Sequence, residues 1–245
     1  MRQSQRSYLP IIVQVFFVIC FFGCKASVSG SDGKHTRQGA DGMIQASRGM
    51  LAPVYGPLAE QIVSKFDLEE KRGIGIDLGS GPGTLIIELC KLTRLHWVNA
   101  DINPNFFPYF YKQAEKRGFG NRVSAVFTDA HDLAFRDGYA DIIVSRGSFY
   151  LWKNKKQAFR EIYRVLKPGG VAYIGRGFSE NLPVETAKEI RKKQGKKMKY
   201  DVEKTCDELE KIMDELGIEK YRIYIPRPAG SKDVNYGIWL EFHKF

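Results

Sequence analysis

Short apolar runs alternate with longer amphipathic stretches along most of this chain. The short runs are rich in β-branched residues, and the stretches between them carry apolar residues at helical spacing. This alternation is typical of an α/β fold, in which helices cover both faces of a mostly parallel sheet. The pattern predicts strands over residues 73–78, 96–100, 123–127, 140–145 and 171–175, and helices over residues 84–92, 106–117 and 155–166.

The C-terminal third of the chain has a different order of elements. The sequence Pro-Gly-Gly at residues 168–170 is predicted to break regular secondary structure between the last of these helices and the fifth strand. Asp201 and Gly217 flank an amphipathic segment and suit the N-cap and the C-terminal cap of one further helix. Strands over residues 221–225 and 237–242 then form a long hairpin.

The first 42 residues do not continue the pattern. Arg2 and Arg6 precede an apolar run of about fourteen residues, which is signal-peptide length and shorter than the roughly 20 residues of a membrane span. The run ends in Gly-Cys at residues 23–24, which resembles a degenerate bacterial lipoprotein cleavage site. Residues 25–42 are rich in glycine, serine and charge, as in a flexible tether. The predicted organisation is therefore a signal or anchor at 1–24, a tether at 25–42 and a folded domain over 43–245.

The role of residues 1–24 stays open among four interpretations. They are a lipoprotein signal, a conventional cleaved signal, an uncleaved membrane anchor, or an upstream extension of a protein that starts at Met43. A lipoprotein signal or an anchor would make the protein membrane-associated, whereas a start at Met43 would make it cytoplasmic. Cationic residues lie on both sides of the apolar run in similar number, so the orientation at a membrane also stays open.

The charge balance of the chain is basic. Lysine and arginine total 38 against 28 acidic residues, for a net charge of +10, and six cations lie within residues 191–199. This segment is compatible with a solvated surface, with an anionic membrane surface or with the phosphates of RNA. The cysteines are spaced too widely for a metal knuckle or a disulfide framework, and no metal site is predicted: Cys20, Cys24, Cys90 and Cys206.

A candidate ligand-binding loop lies at the end of the first predicted strand, where residues 77–84 are Asp-Leu-Gly-Ser-Gly-Pro-Gly-Thr. Glycines at positions 79, 81 and 83 allow a sharp turn and a close approach of the backbone to a ligand. A nicotinamide fingerprint requires a further glycine at position 84, where this chain has Thr84. The loop therefore favours a ligand without a pyrophosphate.

Polar residues also follow the next three strands, whose carboxyl ends meet at the same edge of a parallel sheet. Asp101 lies 22 residues after Gly79 and suits the two hydroxyls of a ribose. Asp129 follows the third strand and suits an adenine amino group, with Ala130 supplying backbone contacts. A solvated cap for Asp101 and a turn role for Asp129 are the alternatives.

Together these motifs resemble the class I S-adenosylmethionine-dependent methyltransferases, in particular the small-molecule branch called methyltransferase type 11. The resemblance covers about residues 50–180 and includes Glu-Ile-Tyr-Arg-Val-Leu-Lys-Pro-Gly-Gly at 161–170. It implies a Rossmann-like, seven-stranded, mostly parallel sheet with helices on both faces and an antiparallel last strand. It also implies S-adenosylmethionine as the cofactor, bound by Asp77, Gly79, Ser80, Gly81, Gly83, Asp101, Ile102, Asp129, Ala130 and Ser145.

Catalysis of methyl transfer from a sulfonium mainly requires alignment of the acceptor and exclusion of water. If the acceptor arrives protonated, His131 is the candidate general base, with a surface or helix-capping role as the alternative. Arg146 is a candidate catalytic residue or an anchor for an anionic group of the substrate, with a structural salt bridge as the alternative. Tyr55 and Ser148 are further candidates for substrate contacts, and Tyr55 also suits a packing role.

The predicted function is methyl transfer from S-adenosylmethionine to a small or membrane-associated molecule, such as a lipid or a quinone. No Asn/Asp-Pro-Pro-Tyr motif follows the fourth strand, which disfavours methylation of adenine or glutamine amino groups. Two alternatives stay open at this point. One is a non-catalytic module that binds S-adenosylmethionine, and the other is an RNA methyltransferase that uses the basic residues 191–199.

Overall fold

A computed structural model describes residues 36–195, 201–232 and 234–245. The predicted signal or anchor, most of the predicted tether and residues 196–200 of the basic segment lie outside these ranges. Within the ranges, none of the helices combines the length and the apolar character that a membrane crossing requires.

Strands and helices alternate along the described residues, as the hydrophobic pattern predicts. The strands are β1 (Ile74–Leu78), β2 (His96–Asp101), β3 (Val123–Phe127), β4 (Ala140–Arg146), β5 (Leu166–Gly177), β6 (Tyr221–Tyr224) and β7 (Gly237–His243). The helices are α1 (Arg37–Arg48), α2 (Ala52–Lys65), α3 (Thr84–Leu92), α4 (Phe107–Glu115), α5 (Lys155–Val165), α6 (Val184–Gln194) and α7 (Val202–Leu216).

The strands form one seven-stranded sheet in the order β3-β2-β1-β4-β5-β7-β6. Strands β1 to β5 are parallel, and β7 is antiparallel to both of its neighbours. The predicted fold class is therefore confirmed. The chain crosses from one side of β1 to the other between β3 and β4, and such a switch point leaves a crevice at the carboxyl ends of the strands. This edge is called the carboxyl edge below.

Alternate residues of the strands build a separate hydrophobic core on each face of the sheet. On one face, Ile142 and Val144 of β4 pack with apolar residues of α2 and α3. On the other face, Ile143 of β4 and Ile174 of β5 pack with α5 and α7. This two-sided burial explains why the central strands are almost continuously apolar in sequence.

The folded domain begins earlier than the predicted boundary between residues 42 and 43. Thr36 caps α1, because its hydroxyl accepts a hydrogen bond from the Gly39 N–H at 3.1 Å. The Thr36 carbonyl also accepts a hydrogen bond from the Asn103 side chain at 3.4 Å, and Ala40 is buried. Residues 37–42 are thus part of a helix that packs on the domain. The low hydrophobicity and the glycines of this segment concealed the helix in the sequence.

Strand β5 also begins earlier than predicted, because the Pro-Gly-Gly sequence at 168–170 forms an irregularity within it. Leu166 pairs with Ala140 and Val171 pairs with Ile142, so the register shifts between them. The Gly169 N–H donates to the Lys244 carbonyl at 2.8 Å, and the Lys244 N–H donates to the Gly170 carbonyl at 3.0 Å. Backbone pairing with the end of the chain therefore continues the strand where a stop was predicted.

The caps predicted for the last helix are confirmed. The Asp201 carboxylate accepts hydrogen bonds from the backbone N–H groups of Glu203 and Lys204, at 3.0 and 3.3 Å. Gly217 ends α7 in the left-handed conformation, with φ of +65°.

Candidate functional site

The glycine loop after β1 lies at the carboxyl edge, and its three glycines meet different surroundings. All three have positive φ, at 70° for Gly79, 57° for Gly81 and 72° for Gly83. A Cβ atom would lie 2.5 Å from Ser148 if placed on Gly79 and 2.2 Å from Phe110 if placed on Gly83, but nothing would lie closer than 3.9 Å at Gly81. Packing therefore requires Gly79 and Gly83, whereas a Cβ atom on Gly81 would make only ordinary van der Waals contacts, with Met43 and Phe106.

The backbone of Gly81 is held from both sides by β2. The Asp101 carboxylate accepts a hydrogen bond from the Gly81 N–H at 2.7 Å, and the Asn99 side chain donates to the Gly81 carbonyl at 3.0 Å. The other oxygen of Asp101 accepts from the Asn103 N–H at 2.8 Å. These two contacts fix the position of the Asp101 carboxylate beside the glycine loop.

Asp77 adds a second carboxylate beneath the same loop. It is 3% exposed, and Oδ2 accepts a hydrogen bond from the Ser80 hydroxyl at 2.7 Å. Burial raises the pKa of Asp77 to about 7, while the Ser80 hydrogen bond lowers it, the charge of Asp101 raises it and that of Arg146 lowers it. A positively charged ligand group above the loop would favour the ionised form, whereas an anionic group would be repelled.

His131 connects the loop after β3 to the start of α5. Its Nδ1 lies 2.5 Å from the Asp129 carboxylate, and its Nε2 accepts a hydrogen bond from the Asn154 N–H at 3.1 Å. Because a backbone N–H can only donate, this contact assigns the proton of a neutral ring to Nδ1. Both ring nitrogens are thus engaged in this structure, and the role of His131 as a general base stays a prediction.

The same contacts define the surroundings of the predicted adenine site. Asp129 also accepts a hydrogen bond from the His131 backbone N–H at 2.9 Å, and Ala130 is buried in the core. Ile102, which follows Asp101, is 38% exposed at the carboxyl edge and offers an apolar surface to a flat ring. The cofactor contacts of these residues stay predictions.

Two serine hydroxyls, one at the end of β4 and one just after it, face the backbone of β1. Ser145 Oγ donates to the Leu78 carbonyl at 2.7 Å, and Ser148 Oγ lies 3.1 Å from the same oxygen. The two hydroxyls are also 2.6 Å apart. In this arrangement they support the end of β1 beneath the glycine loop, and the direct ligand contacts predicted for them stay untested.

Arg146 and Tyr55 come together with Asp77 on the α2 side of the loop. The Arg146 guanidinium lies 5.4 Å from the centre of the Tyr55 ring, and its Nε donates to the Gly177 carbonyl at 3.2 Å. Tyr55 is buried, which raises its pKa, although the positive charge of Arg146 opposes the increase. Tyr55 and Arg146, which the sequence suggested as separate candidates, thus form one cation–π contact beside Asp77.

Several residues of the site were missed in the sequence. Asn99 and Phe110 contact the glycine loop, and Met43 of α1 lies 3.9 Å from the position that a Cβ atom would take on Gly81. The Arg176 guanidinium stacks on Tyr150 at 3.8 Å. Asn99 carried a usable signal, because it is a polar residue within a buried strand. The others come from distant segments, and nothing in the local sequence connects them to the loop.

The residues present fit S-adenosylmethionine. Asp77 and Asp101 give the floor of the loop a negative character, and Asn99 Oδ1 is a buried acceptor without a hydrogen-bond partner within the described ranges. This surplus of acceptors suits the sulfonium and ammonium groups of that cofactor and opposes a pyrophosphate. The described residues also contain no group of three or more potential ligands that could hold a metal ion.

Comparisons with known proteins agree with this chemistry. The model of a family described as "Methyltransferase domain" matches residues 76–174. The ubiquinone/menaquinone biosynthesis C-methyltransferase UbiE of Vibrio parahaemolyticus is 33% identical over 97 residues, which are 39% of this chain and 38% of that protein. The chloroplastic 2-methyl-6-phytyl-1,4-hydroquinone methyltransferase of Arabidopsis thaliana is 34% identical over 99 residues, which are 40% of this chain and 28% of that protein. The chain thus spans well under half the length of these curated relatives.

A solved structure extends the similarity to almost the whole described domain. It is that of a candidate S-adenosyl-L-methionine-dependent methyltransferase from Methanococcus maripaludis, with 33% identity and a TM-score of 0.75. The match covers 88% of this chain and 96% of that protein. This chain belongs to the class I S-adenosylmethionine-dependent methyltransferases.

Proposed function

We propose that this protein transfers the methyl group of S-adenosylmethionine to a small molecule with an electron-rich ring, of the hydroquinone class. The arrangement of Asp77, Gly81 and Asp101 carries the cofactor half of the proposal, because it combines a sharply turned glycine backbone with two buried carboxylates. The names of the curated relatives, a quinone C-methyltransferase and a hydroquinone methyltransferase, support the acceptor half.

The chain's own residues would act mainly by binding and orienting. S-adenosylmethionine, when bound, supplies a methyl group on a positively charged sulfur. Asp101 would hold the ribose hydroxyls and Asp77 would face the methionine end. Arg146, on the side of the site away from β2, would attract a ring hydroxyl in its ionised form and thereby raise the electron density of the acceptor. Tyr55, packed against Arg146, would exclude water from this contact.

The proposal is tested by incubating the full-length protein with S-adenosylmethionine and a 1,4-hydroquinone that carries a hydrocarbon tail. We expect S-adenosylhomocysteine and an acceptor heavier by one methylene unit, both detected by mass spectrometry. Asp101→Ala is the matched control, because it should retain the fold and lose most of the cofactor affinity. S-adenosylmethionine binding without product from any member of a hydroquinone and phenol series would contradict this acceptor class.

We also propose that the N-terminal segment holds the protein at a membrane. The apolar run before Cys24 and the six cations of residues 191–199 support this, because a lipid or anchor and a basic surface would act at the same interface. The test is fractionation of cells that express either the full chain or a shortened form. The shortened form begins at Lys34, behind an added initiator methionine, so that α1 and its Thr36 cap stay intact. We expect only the full chain in the membrane fraction, and equal distribution of both forms would overturn the proposal.

RNA methylation is the weaker alternative for the basic segment. Of its described residues, Arg191 already donates to the Asn235 carbonyl at 2.7 Å and lies 4.3 Å from the Phe178 ring centre. This cation therefore has a structural role in holding α6. The relatives named above are also methyltransferases of small molecules and not of RNA.

A further inference from the structure

A cavity of about 270 Å³ that is open to solvent lies beside α2 and the edge strand β6. Its volume corresponds to roughly nine water molecules at about 30 Å³ each, which suits a small ligand. Its lining includes no residue of the glycine loop and neither Tyr55 nor Arg146, so the cavity is distinct from the site described above. The lining residues are all polar or charged: Gln61, Ser64, Lys65, Glu180, Asn181, Arg222 and Tyr224.

The wall of this cavity contains a buried amide whose hydrogen bonds are completely used. Gln61 is 5% exposed, and its oxygen accepts from the Glu180 N–H at 2.9 Å and from the Ser179 hydroxyl at 2.7 Å. Its nitrogen lies 2.7 Å from the hydroxyls of both Tyr173 and Tyr224. Because a backbone N–H can only donate, the Glu180 contact identifies the amide oxygen. The amide nitrogen must therefore donate to both tyrosines.

Counting protons on the two tyrosines leaves one donor for the cavity. The hydroxyls of Tyr173 and Tyr224 contact each other, and one of their two protons lies in that contact. Within the described ranges, no acceptor faces the second proton. Tyr173 is completely buried, so leaving its proton unpaired would be costly, whereas Tyr224 lines the cavity. The favourable arrangement has Tyr173 donating to Tyr224, and Tyr224 pointing its own O–H into the cavity.

The charged groups around the cavity are complementary to both signs of charge. Lys65 is already paired with Glu241 at 2.8 Å. Among the residues that the structure describes, neither Arg222 nor Glu180 has an ion-pair partner. The cavity thus offers a guanidinium and a phenolic O–H to an anionic group, and a carboxylate to a cationic group.

We propose that this cavity binds a small zwitterion with a carboxylate and an ammonium group, that is, a free amino acid. The carboxylate accepts hydrogen bonds from Arg222 and Tyr224, and the ammonium group contacts Glu180. Such a ligand bridges β6 to the turn between β5 and α6, which Gln61 already holds. This site is independent of the proposed methyl acceptor, because it shares no residue with the glycine loop.

The experiment is calorimetric titration of the full-length protein with glycine, acetate and methylammonium, with S-adenosylhomocysteine binding as the check of an intact fold. We expect glycine to bind more tightly than either half-ligand. Arg222→Gln should weaken glycine binding at least about tenfold, because hydrogen bonds to a charged group are lost. Lys220→Gln is the matched control, since it removes the same charge from a neighbouring residue that does not line the cavity.

Three outcomes would overturn the proposal. The first is that protein able to bind S-adenosylhomocysteine does not bind glycine. The second is that glycine and acetate bind with equal affinity. The third is that Arg222→Gln and Lys220→Gln change glycine affinity equally. If Arg222→Gln does not fold, Glu180→Gln provides a second test on an exposed turn. That variant should lose affinity for glycine and keep its affinity for acetate, and an unchanged preference for glycine would count against the ammonium contact.

Discussion

The two sides of the carboxyl edge present different chemistry to a ligand. On the side of β1 and β2, the groups that face the loop are backbone atoms of Gly81 and the buried side chains of Asp77, Asn99 and Asp101. On the side of β4 and β5, they are long cationic side chains in contact with tyrosine rings, Arg146 with Tyr55 and Arg176 with Tyr150. Rigid, buried groups suit one fixed ligand, whereas side chains at the mouth of a crevice can be exchanged to suit different acceptors. The comparison therefore favours the first side for the cofactor and the second for the acceptor.

The largest expected effect is a difference in stability between variants of two glycines on the side of β1 and β2. Gly83→Ala should destabilise the protein by about 3 kcal/mol, because it adds a steric clash with Phe110 to the cost of a left-handed alanine. Gly81→Ala should cost only about 1 kcal/mol of stability, since its Cβ would make ordinary van der Waals contacts without a clash. Denaturant unfolding measures both. Equal losses of stability in the two variants would show that Gly81 is packed as tightly as Gly83.

A variant of Asp101 tests whether the side of β1 and β2 binds the cofactor. Asp101→Ala should weaken S-adenosylmethionine binding by about 1 to 3 kcal/mol, through loss of charge-assisted hydrogen bonds and release of the Gly81 N–H. Calorimetric titration gives the affinity. As the control, Asp137→Ala removes an exposed carboxylate that binds Arg164, and it should leave cofactor affinity unchanged. An unaltered affinity in Asp101→Ala would mean that the pocket lies elsewhere.

Asp77 makes the same side sensitive to pH. Because its pKa in the folded protein is about 7, S-adenosylmethionine affinity should rise about tenfold between about pH 6 and pH 8, as the carboxylate ionises. Stability should change in the opposite direction. A buried acid with a raised pKa favours folding while it is protonated, and this contribution is lost as pH rises from about 4 through about 7. In Asp77→Asn both pH dependences should disappear, and their persistence would assign them to another group.

An effect of similar size is expected on the acceptor side. Arg146→Gln should lower kcat/KM for the acceptor about tenfold, or about 1.4 kcal/mol, and change cofactor affinity only a few-fold through the pKa of Asp77. Arg146→Lys keeps the charge and should recover part of the loss. Steady-state kinetics with each substrate varied in turn separates the two effects. An equal loss for cofactor and acceptor would place Arg146 in the cofactor site.

Local sequence patterns pointed to the side of β1 and β2 more clearly than to the side of β4 and β5, for a physical reason. The glycine loop, Asp101 and the alternation of strands and helices are local patterns, so they could be read without knowledge of tertiary contacts. The contact between Tyr55 and Arg146 joins residues 91 positions apart, and the support of Gly83 by Phe110 depends on how two helices pack. Such contacts have no periodicity and no local spacing rule.

The boundaries that differed from the prediction have the same origin. Helix α1 has few apolar residues, and its position depends on the Thr36 cap and on Asn103 in a distant loop. Strand β5 continues through Pro-Gly-Gly at 168–170 because the backbone of Lys244 pairs with it. In both cases a partner remote in sequence supplied the hydrogen bonds that local propensity disfavours.

The buried carboxyl of Asp77 also affects how ligand binding is measured. Near neutral pH it is partly protonated, so a cationic ligand that favours the ionised form drives a proton into the solvent. S-adenosylmethionine carries the sulfonium charge and S-adenosylhomocysteine does not, so the two ligands should release different amounts. The heat of binding in a calorimeter will therefore include the ionisation enthalpy of the buffer, to a different extent for each ligand. With Asp77 facing the cofactor, as proposed, we expect each exchange of product for fresh cofactor to be accompanied by a small pulse of protons.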